Sequence, residues 1–485
     1  MKKIILILAI ITININIYSQ TTIPAGNVSG TWTAENSPYL ITGDILIATG
    51  STLNIEPNVT VEVQGFYKLA IEGQLLAVGE KDNLITFTIN DTTGYSNENI
   101  TNGGWHGIRF ENNTSNDSSK IIFCKIEYEK YVLEYDYSSG VNIDNFSKLV
   151  ISNCIFYHNR AGIGANNSSI SIFNNLFFNN NSGLGISFTD YINIYNNILI
   201  NNQQMGLSLY EVKNAHITNN LVCNNSNSGI WITTGGTTCY NIILSNNTIC
   251  NNTGYNAGGV FMDELYTDVK FYNNVLWNNT HSNSGNIDNV AGVNLSASFY
   301  NCNIQNGLTN IYTNIQSYEN NIETDPEFIN PTTGIGWEYD ATNRNWKLNE
   351  TSPCIDAGTL DTTGLNLNLP EKDLDENQRI YNDIIDIGAY EYPGYINVNE
   401  TEKQDYFNVY PNPVNETITV LSMLNQQENI QLQIITQTGS VIYNESFENQ
   451  DYFNEQINIS DYLEGIYILK IITENNEYTK KIIIQ

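Results

Sequence analysis

The sequence predicts an all-β chain in which a parallel solenoid is followed by a second, smaller β domain. Three observations support this prediction. A motif built around Asn-Asn recurs every 21 to 28 residues between residues 154 and 302. Apolar residues alternate with polar ones around it, which is the periodicity of a β-strand. From about residue 405 the alternation continues without the Asn motif.

The composition narrows the class of ligand. Of the 485 residues, 51 are acidic and 20 are basic, a formal net charge of −31, yet only 15% are charged. A nucleic-acid binder needs clustered Lys and Arg to neutralise phosphates, so the charge argues against nucleic acid. It also disfavours a polyanionic ligand unless a divalent cation mediates the contact. Apart from an option for calcium discussed below, the sequence indicates no cofactor and no metal centre.

Residues 1–19 have the features of a secretory signal peptide. Lys2 and Lys3 form a basic start, and residues 4–11 are apolar. Asn14 and Asn16 interrupt the apolar run, which makes it too short and too polar to span a bilayer. The alternative is a buried N-terminal strand. No other segment is long and apolar enough for a transmembrane helix.

The repeat has an anchor position, which is the second Asn of each Asn-Asn pair or the Cys that replaces it. The anchors are Cys154, Asn175, Asn197, Asn220, Asn247, Asn274 and Cys302. A further Asn follows five residues after the first six anchors, at Asn159, Asn180, Asn202, Asn225, Asn252 and Asn279. A single unit cannot bury its apolar face, so the units should stack, with Asn amides hydrogen-bonded along each column. Asn also suits turns because it tolerates left-handed backbone angles.

Each unit also contains a Gly followed by an apolar residue. These pairs are Gly162-Ile163, Gly185-Ile186, Gly206-Leu207, Gly229-Ile230, Gly259-Val260 and Gly292-Val293. We expect the first and third residues after each Gly to face the core and the second to face outward. The seven Cys form no CxxC pair and show no metal-ligand spacing, and several lie in repeat columns, so we expect buried free thiols.

These repeats resemble the right-handed parallel β-helix proteins of the pectate-lyase-like class. The resemblance implies three strands per coil, with the Gly-apolar strand first and the variable loop before it bordering an active face. We place the N-terminal coils at residues 25–125 and the Asn-rich repeats at residues 126–310. Residues 311–392 are similar to a choice-of-anchor Q segment, and we interpret them as the last coils and a cap over the exposed sheet edge.

Within that segment, Asp373, Asp375 and Asn377 have the spacing that begins a calcium loop. Gln378 stands where such a loop needs Gly, and Ile384 where it needs Glu, so a solvated Asp/Asn turn is the favoured interpretation.

Residues 393–404 form a polar linker, and residues 405–485 resemble the type A C-terminal sorting domain of the type IX secretion system. The motif residues that carry this resemblance are Tyr410, Pro411, Asn412, Pro413, Gly439, Gly465, Tyr467, Lys480 and Lys481. The resemblance implies a small Ig-like β-sandwich that is recognised by the type IX machinery. The fold class is therefore a right-handed parallel β-helix followed by a β-sandwich, and the protein is expected to be secreted or held at the outer cell surface.

Two groups of residues are candidates for a binding or catalytic site. Trp231 and Phe261 should face outward on neighbouring coils, as a platform for a sugar ring, together with Tyr210 and Asp263. The alternative is that the loop at residues 252–259 covers them.

Five positions after each Gly, Asp190 and Glu211 should lie one strand spacing apart, with Glu264 extending the acidic edge. Paired carboxylates at such separations serve glycoside hydrolysis. The alternatives are a solvated turn, and calcium held between Asp190 and Glu211.

Two classes of function remain open at this point. The first is a non-catalytic surface protein that binds glycans or serves as an adhesin or structural module. The second is a carbohydrate-active enzyme that uses the acidic edge as a glycoside hydrolase. A polysaccharide lyase is the weaker enzyme hypothesis, because it needs a Lys or Arg base and further cations to bind the uronates. The coils at residues 147–302 contain only four scattered cations, Lys148, Arg160, Lys213 and Lys270. The regular coils and the lack of an evident acid–base set favour the first class.

Overall fold

The computed structural model divides into two compact units, with the boundary between residues 392 and 393. The described residues are 20–111, 117–133, 139–235, 239–263, 268–360, 367–380, 383–392, 406–410, 414, 416–436, 439–460, 462–463, 465–473 and 477–484. The predicted signal peptide lies outside them. In the described part of the chain, no helix has the length and apolar character needed to span a membrane.

The first unit is a parallel β-helix with three strands in each coil, as predicted. Strands of successive coils pair in parallel and form three columns. The first column consists of Gly26–Asn27, Ile45–Ile47, Leu69–Ile71, Ile108–Phe110, Val141–Asp144, Ala161–Asn166, Ser182–Ser187, Leu207–Tyr210, Ile230–Thr233, Val260–Asp263 and the start of Val290–Tyr300. The second consists of Gly30–Trp32, Thr52–Ile55, Gln74–Val78, Ser119–Ile122, Leu149–Ser152, Ser171–Phe173, Asp190–Tyr195, Lys213–Thr218, Tyr240–Ser245, Asp268–Tyr272 and the end of Val290–Tyr300.

The third column is a separate twelve-stranded sheet. Its strands are Thr21–Ile23, Tyr39–Ile41, Thr60–Val63, Ile85–Ile89, Cys124–Glu127, Ile155–Tyr157, Leu176–Phe178, Ile198–Ile200, Leu221–Cys223, Thr248–Cys250, Val275–Trp277 and Asn303–Ile304. Ile311–Glu319 pairs with Val290–Tyr300 and forms the last coil. The remaining elements of this unit are the 3-10 helices Ala34–Asn36 and Gly307–Asn310 and the short strand pairs Thr253–Gly254 with Thr280–His281 and Phe328–Asn330 with Asn345–Leu348.

The anchor Asn residues form a buried ladder inside the solenoid, which confirms the predicted column. Asn197 donates from its backbone N and its Nδ2 to the Oδ1 of Asn220, at 2.9 and 3.1 Å. The second predicted column forms a parallel ladder in the same way, for example from Asn225 to Asn252. At the end of the anchor ladder, Cys302 replaces Asn, and its Sγ accepts from the Asn274 backbone N at 3.4 Å. All seven Cys are buried and free, including those in the repeat columns, where this was expected.

The first Asn of each pair has a different role from the second. It adopts the left-handed conformation, with φ between 51° and 58° in every coil from Asn153 to Asn301. This angle turns the chain between the second and third columns. Asn adopts the left-handed conformation more readily than most other residues with a side chain. The Asn-Asn motif therefore combines an outward turn residue with an inward ladder residue.

Residues 324–392, called the strap below, do not close the end of the solenoid as predicted. They run back along its side, over the outer surface of the third column. Asn273 is bound twice to the strap, since its Nδ2 donates to the carbonyl O of Thr359 at 2.9 Å and its Oδ1 accepts from the Thr359 backbone N at 2.8 Å. Other left-handed Asn residues donate to strap carbonyls at 2.8–3.2 Å: Asn196 to Lys372, Asn201 to Trp337 and Tyr339, Asn246 to Asp386, Asn251 to Thr332 and Gly334, and Asn301 to Ala357.

The physical reason for this course is an apolar surface that needs cover. The third column points apolar side chains outward at these coils, among them Leu221, Cys223 and Val275, and they pack against Trp346 and Ile387 of the strap. The open sheet edge alone favours a cap, whereas the outward apolar side chains of the third column bind this segment along the side of the solenoid.

The strap contains a buried group of charges. Arg379 is 1% exposed and forms an ion pair with Glu391 at 3.0 Å. Asp373 is buried rather than solvated: its Oδ1 accepts from the backbone N of Asp375 and of Asn377, and its Oδ2 from that of Glu391. One guanidinium faces three carboxyl groups here, and burial raises the pKa of Asp386 to about 6 and that of Glu391 to about 8.

The second unit is an antiparallel β domain. Its strands are Tyr406–Tyr410, Thr417–Thr436, Val441–Asn458, Gly465–Ile472 and Glu477–Ile484. The two long strands link all five by hydrogen bonds, in agreement with the predicted small β domain. The long pair of strands changes register between residues 423 and 428, and residues on both sides of the shift, such as Ile418 and Leu432, enter one core.

The predicted sorting motifs fall on turns and strands of this unit. Tyr410 ends the first strand, and Gly439 turns between the two long strands at a φ of 85°. Gly465 begins the fourth strand, where the Tyr467 hydroxyl donates to the carbonyl of Leu463 at 2.7 Å. Lys480 and Lys481 lie in the last strand. Pro411, Asn412 and Pro413 lie outside the described residues.

Candidate functional site

The register of the first column differs from the prediction at two coils. Leu184 pairs with Leu207, and Val290 pairs with Val260. The repeat Gly of the coil at Ser182–Ser187 is therefore Gly183 rather than Gly185, and Asn289 rather than Gly292 precedes Val290–Tyr300. Side chains alternate between the two faces of a strand, so Gly183 and Gly185, two residues apart, fit the same inward–outward pattern. The predicted inward position of Phe188 was wrong in consequence, because its side chain is 50% exposed.

The corrected register defines a surface that we call the first-column face. Two outward rows run along the solenoid axis on it. One row is Asn142, Gly164, Gly185, Ser208, Trp231, Phe261 and Ala291, and the other is Asp144, Asn166, Ser187, Tyr210, Thr233 and Asp263. Four strand spacings, about 19 Å, separate Asn142 from Trp231. Between them the first row has only Gly and Ser, so no large side chain interrupts the surface.

Trp231 and Phe261 lie on neighbouring coils, as predicted, and their ring centroids are 5.8 Å apart at an interplanar angle of 68°. Phe261 is 7% exposed because Ala257 of the preceding loop and Ala291 of the next coil pack against it. Trp231 remains partly exposed, and its Nε1 has no hydrogen-bond partner among the described residues. The predicted platform is thus reduced to Trp231, with Phe261 supporting it from the next coil.

Tyr210 and Phe188 form a second aromatic group beside the small-residue row. Their ring centroids are 5.1 Å apart in an edge-on arrangement. A Cβ atom at Gly235 would lie 1.9 Å from the Tyr210 hydroxyl and 2.6 Å from Glu211 Oε1, so a side chain here would displace both groups. Phe188 was missed by sequence reasoning because the misplaced Gly assigned it to the core.

Contrary to the prediction, Asp190 and Glu211 are not level on neighbouring strands but are offset by two residues along them. Asp190 pairs in register with Lys213, and its Oδ1 lies 3.7 Å from the Lys213 Nζ. Glu211 is instead level with Phe188, and its Oε1 accepts from the Gly235 backbone N at 3.1 Å. The same register error placed the two carboxylates in one column. Glu264 lies outside the described residues, and Asp263 lies level with Thr233 in the second row.

A cleft of about 400 Å³ borders the first-column face where the strands at Ala161 and Ser182 begin. Arg160, Asn181, Gln204 and Met205 line it. The Arg160 guanidinium lies 5.4 Å from the centroid of the Tyr131 ring. The small-residue row therefore has a concave, polar border on one side and the Phe188–Tyr210 group on the other.

Two family models match parts of the chain, one in each unit. Residues 83–249 and 139–306 match the right handed beta helix region, and residues 408–485 match the secretion system C-terminal sorting domain. No curated protein matches the chain.

Three solved structures are similar to it at low identity. A periplasmic alginate epimerase is 16% identical over 59% of this chain, with a TM-score of 0.34, and this chain spans 65% of that protein, just under two thirds. The A-module of the Azotobacter vinelandii mannuronan C-5 epimerase is 13% identical over 63% of this chain and 86% of its own, with a TM-score of 0.29. Tailspike protein 2 of bacteriophage CBA120 is 9% identical over 96% of this chain and 72% of its own, with a TM-score of 0.22.

The two family matches agree with the observed columns of parallel strands and with the separate antiparallel unit. Residues 83–306 are thus a right-handed β-helix region, and residues 408–485 are the sorting domain that directs export by the type IX secretion system to the cell surface or the extracellular space.

Proposed function

We propose that this exported β-helix is a non-catalytic surface module whose first-column face binds an extended glycan. The observation that supports this most is the position of Trp231 at the end of a row of small residues. A sugar chain laid along Gly164, Gly185 and Ser208 would reach an aromatic ring at one end and meet no large side chain on the way. Partly exposed aromatic residues offer an apolar surface with a polar edge, which suits the faces of sugar rings.

The charge of the protein supports a glycan without carboxylates. The first-column face carries Asp144 and Asp263, and the chain as a whole has a net charge of −31. A polyanionic chain would be repelled over its whole length. Hydroxyl groups, by contrast, can exchange hydrogen bonds with Asn142, Asn166 and Ser187.

Binding without hydrolysis is supported by the surroundings of Glu211. Glycoside hydrolysis uses two carboxyl groups about 5–9.5 Å apart across the scissile bond. Glu211 has Phe188 beside it in the neighbouring coil, and Asp190 is paired with Lys213. These surroundings favour binding over hydrolysis by this pair of carboxylates.

The proposal is tested with the mature full-length protein on an array of neutral and acidic glycans, together with an assay for released reducing ends. The key variant is Trp231→Ala. Its matched control is Trp337→Ala, because Trp337 is 40% exposed on the strap, away from the first-column face. We expect binding to neutral glycans that Trp231→Ala weakens at least tenfold and Trp337→Ala leaves unchanged. Binding to no glycan, equal effects of the two variants, or release of reducing ends would refute the proposal.

A further inference from the structure

A second cavity lies at the N-terminal coils, in the turn between the third and first columns. Its volume is about 500 Å³, and its lining includes Gln64, Phe66, Tyr67, Asn90 and Asn102. Sites for small molecules in proteins have volumes of this order and combine aromatic side chains with a few fixed polar groups. None of these residues belongs to the first-column face.

The wall formed by residues 91–103 is held in place by buried groups of the next coil. Lys130 is 2% exposed, and its Nζ donates to the carbonyl oxygens of Gly94 and Asn102, both at 2.6 Å. The Tyr95 hydroxyl lies 3.0 Å from the carbonyl oxygen of Glu129. Burying an ammonium group costs free energy unless hydrogen bonds compensate for the lost water. Here the two loop carbonyls supply those bonds, so the charge ties the loop to the next coil. The cavity is therefore formed before a ligand arrives.

The polar groups of the cavity are oriented by a chain of amides. Asn90 Nδ2 donates to Gln64 Oε1 at 3.0 Å, and Gln64 Nε2 donates to Glu62 Oε1 at 2.8 Å. The Asn90 Oδ1 accepts no hydrogen bond from the described residues. An amide fixed in this way presents an acceptor and a donor to a ligand at known positions, which suits a pair of adjacent hydroxyl groups.

The aromatic part of the cavity is equally fixed. The Phe66 ring stacks on His106 with 4.8 Å between centroids. A Cβ atom at Gly65 would lie 2.9 Å from the Tyr67 ring, so Gly leaves the room that this ring occupies.

Two cations near the cavity share one carboxylate. Glu111 contacts Arg109 at 2.6 Å and Lys68 at 3.3 Å. Burial, with a contribution from Arg109, lowers the pKa of His106 to about 4, so its ring is neutral at pH 7. The cavity lining itself includes Asp91 and, among the described residues, no Lys or Arg, so it would not attract a carboxylate.

We infer that this cavity is a binding site for a single neutral sugar residue, held by Asn90 and Gln64 on its hydroxyl edge and by Phe66 and Tyr67 on its apolar side. The inference does not require that the first-column face binds a glycan.

The test is saturation-transfer NMR on the full-length protein with glucose, galactose, mannose, N-acetylglucosamine and glucuronate. We expect at least one neutral sugar to give a signal that Asn90→Ala and Tyr67→Ala each reduce at least fivefold. Asn90 is exposed, so its replacement should leave the fold intact, and an unchanged circular dichroism spectrum checks this. Trp337→Ala, at an exposed position on the strap, should leave the signal unchanged.

Three outcomes would overturn the inference: no neutral sugar gives a signal, only glucuronate does, or Asn90→Ala has no effect. If neutral sugars bind to this cavity while the glycan array shows no binding, the inference about the cavity is supported and the first-column proposal is refuted. If glycan binding depends on Trp231 and not on Asn90, the inference about the cavity is refuted and the first-column proposal is supported.

Discussion

The Oδ1 atom of Asn220 accepts two hydrogen bonds from Asn197, one from its backbone N at 2.9 Å and one from its Nδ2 at 3.1 Å. Asn220 in turn donates from the same two groups to the Oδ1 of Asn247. Each coil is thus joined to its neighbours by side-chain bonds in addition to the strand pairing. Both residues are fully buried, so these bonds are shielded from water.

Replacing Asn220 with Ala should destabilise the solenoid by about 3–5 kcal/mol, because the buried backbone N of Asn197 loses its acceptor and the buried carbonyl of Ile194 loses its donor. Urea unfolding followed by circular dichroism measures this. Gln203→Ala, at an exposed position, is the control and should cost little. Asn220→Cys should cost less than Ala, since Cys already occupies this column at Cys154 and Cys302. A loss below 1 kcal/mol for Asn220→Ala would contradict the role of the ladder.

Asn273→Gly should loosen the strap while leaving the solenoid stable. Gly keeps the left-handed turn, for which Asn273 has a φ of 56°, but removes both side-chain bonds to Thr359. Hydrogen exchange measured by mass spectrometry should then be at least tenfold faster at residues 356–360. Asn174→Gly is the matched control, because Asn174 has a φ of 57° and is exposed. Equal exchange in both variants would mean that Asn amides do not hold the strap.

Stability should fall as pH rises from 7 to 8. Burial raises the pKa of Glu391 to about 8, above the value near 4.3 of an unfolded Glu, so the folded protein binds more protons in this range. The histidines with shifted pKa values have lower values than in the unfolded chain, so they oppose this loss, but only slightly, because above pH 7 most of them are neutral in both states. Glu391 should account for a loss of about 1 kcal/mol over this unit of pH.

Urea unfolding at pH 7.0, 7.5 and 8.0 measures this slope. Glu391→Gln keeps an oxygen that can accept from Arg379 and from the Asp386 backbone N but does not titrate, so it should flatten the slope. A slope that survives in Glu391→Gln would assign the pH dependence to other groups.

Deleting residues 405–485 should retain the protein inside the cell envelope, because this unit is the signal for type IX export. Fractionation of the producing cells with an antibody against the solenoid shows where the truncated chain lies. A chain that keeps residues 405–485 but lacks the strap, residues 324–392, is the control and should still leave the cell. Normal export of the truncation at residue 404 would contradict the assignment.

The solenoid could be predicted from the sequence because its strongest signal is local and repeated. Each Asn pair marks a turn and a ladder position, and six coils repeat the spacing, so the columns at Asn220 and Asn225 were correctly identified. Cys154 and Cys302 could also be placed, since they stand in the same column.

The candidate site was harder to predict, because it depends on register. Two Gly residues stand two positions apart at Gly183 and Gly185, and both satisfy the alternation of a strand. The choice of the wrong one moved Phe188 inward and brought Asp190 opposite Glu211. The course of the strap depends on contacts between residues more than 80 apart in sequence, such as Asn273 with Thr359 and Asn201 with Trp337, and no local pattern reveals them.

The most direct test of a glycan-binding first-column face is calorimetric titration with neutral oligosaccharides of increasing length, taken from a glycan that the array identifies. Asn90→Ala serves as the background, so that the N-terminal cavity does not contribute. Affinity should rise with length until the chain spans the roughly 19 Å from Trp231 to Asn142 and then level off. Adding Trp231→Ala should weaken every length about tenfold, or 1.4 kcal/mol. An affinity that is independent of both length and Trp231 would contradict the account.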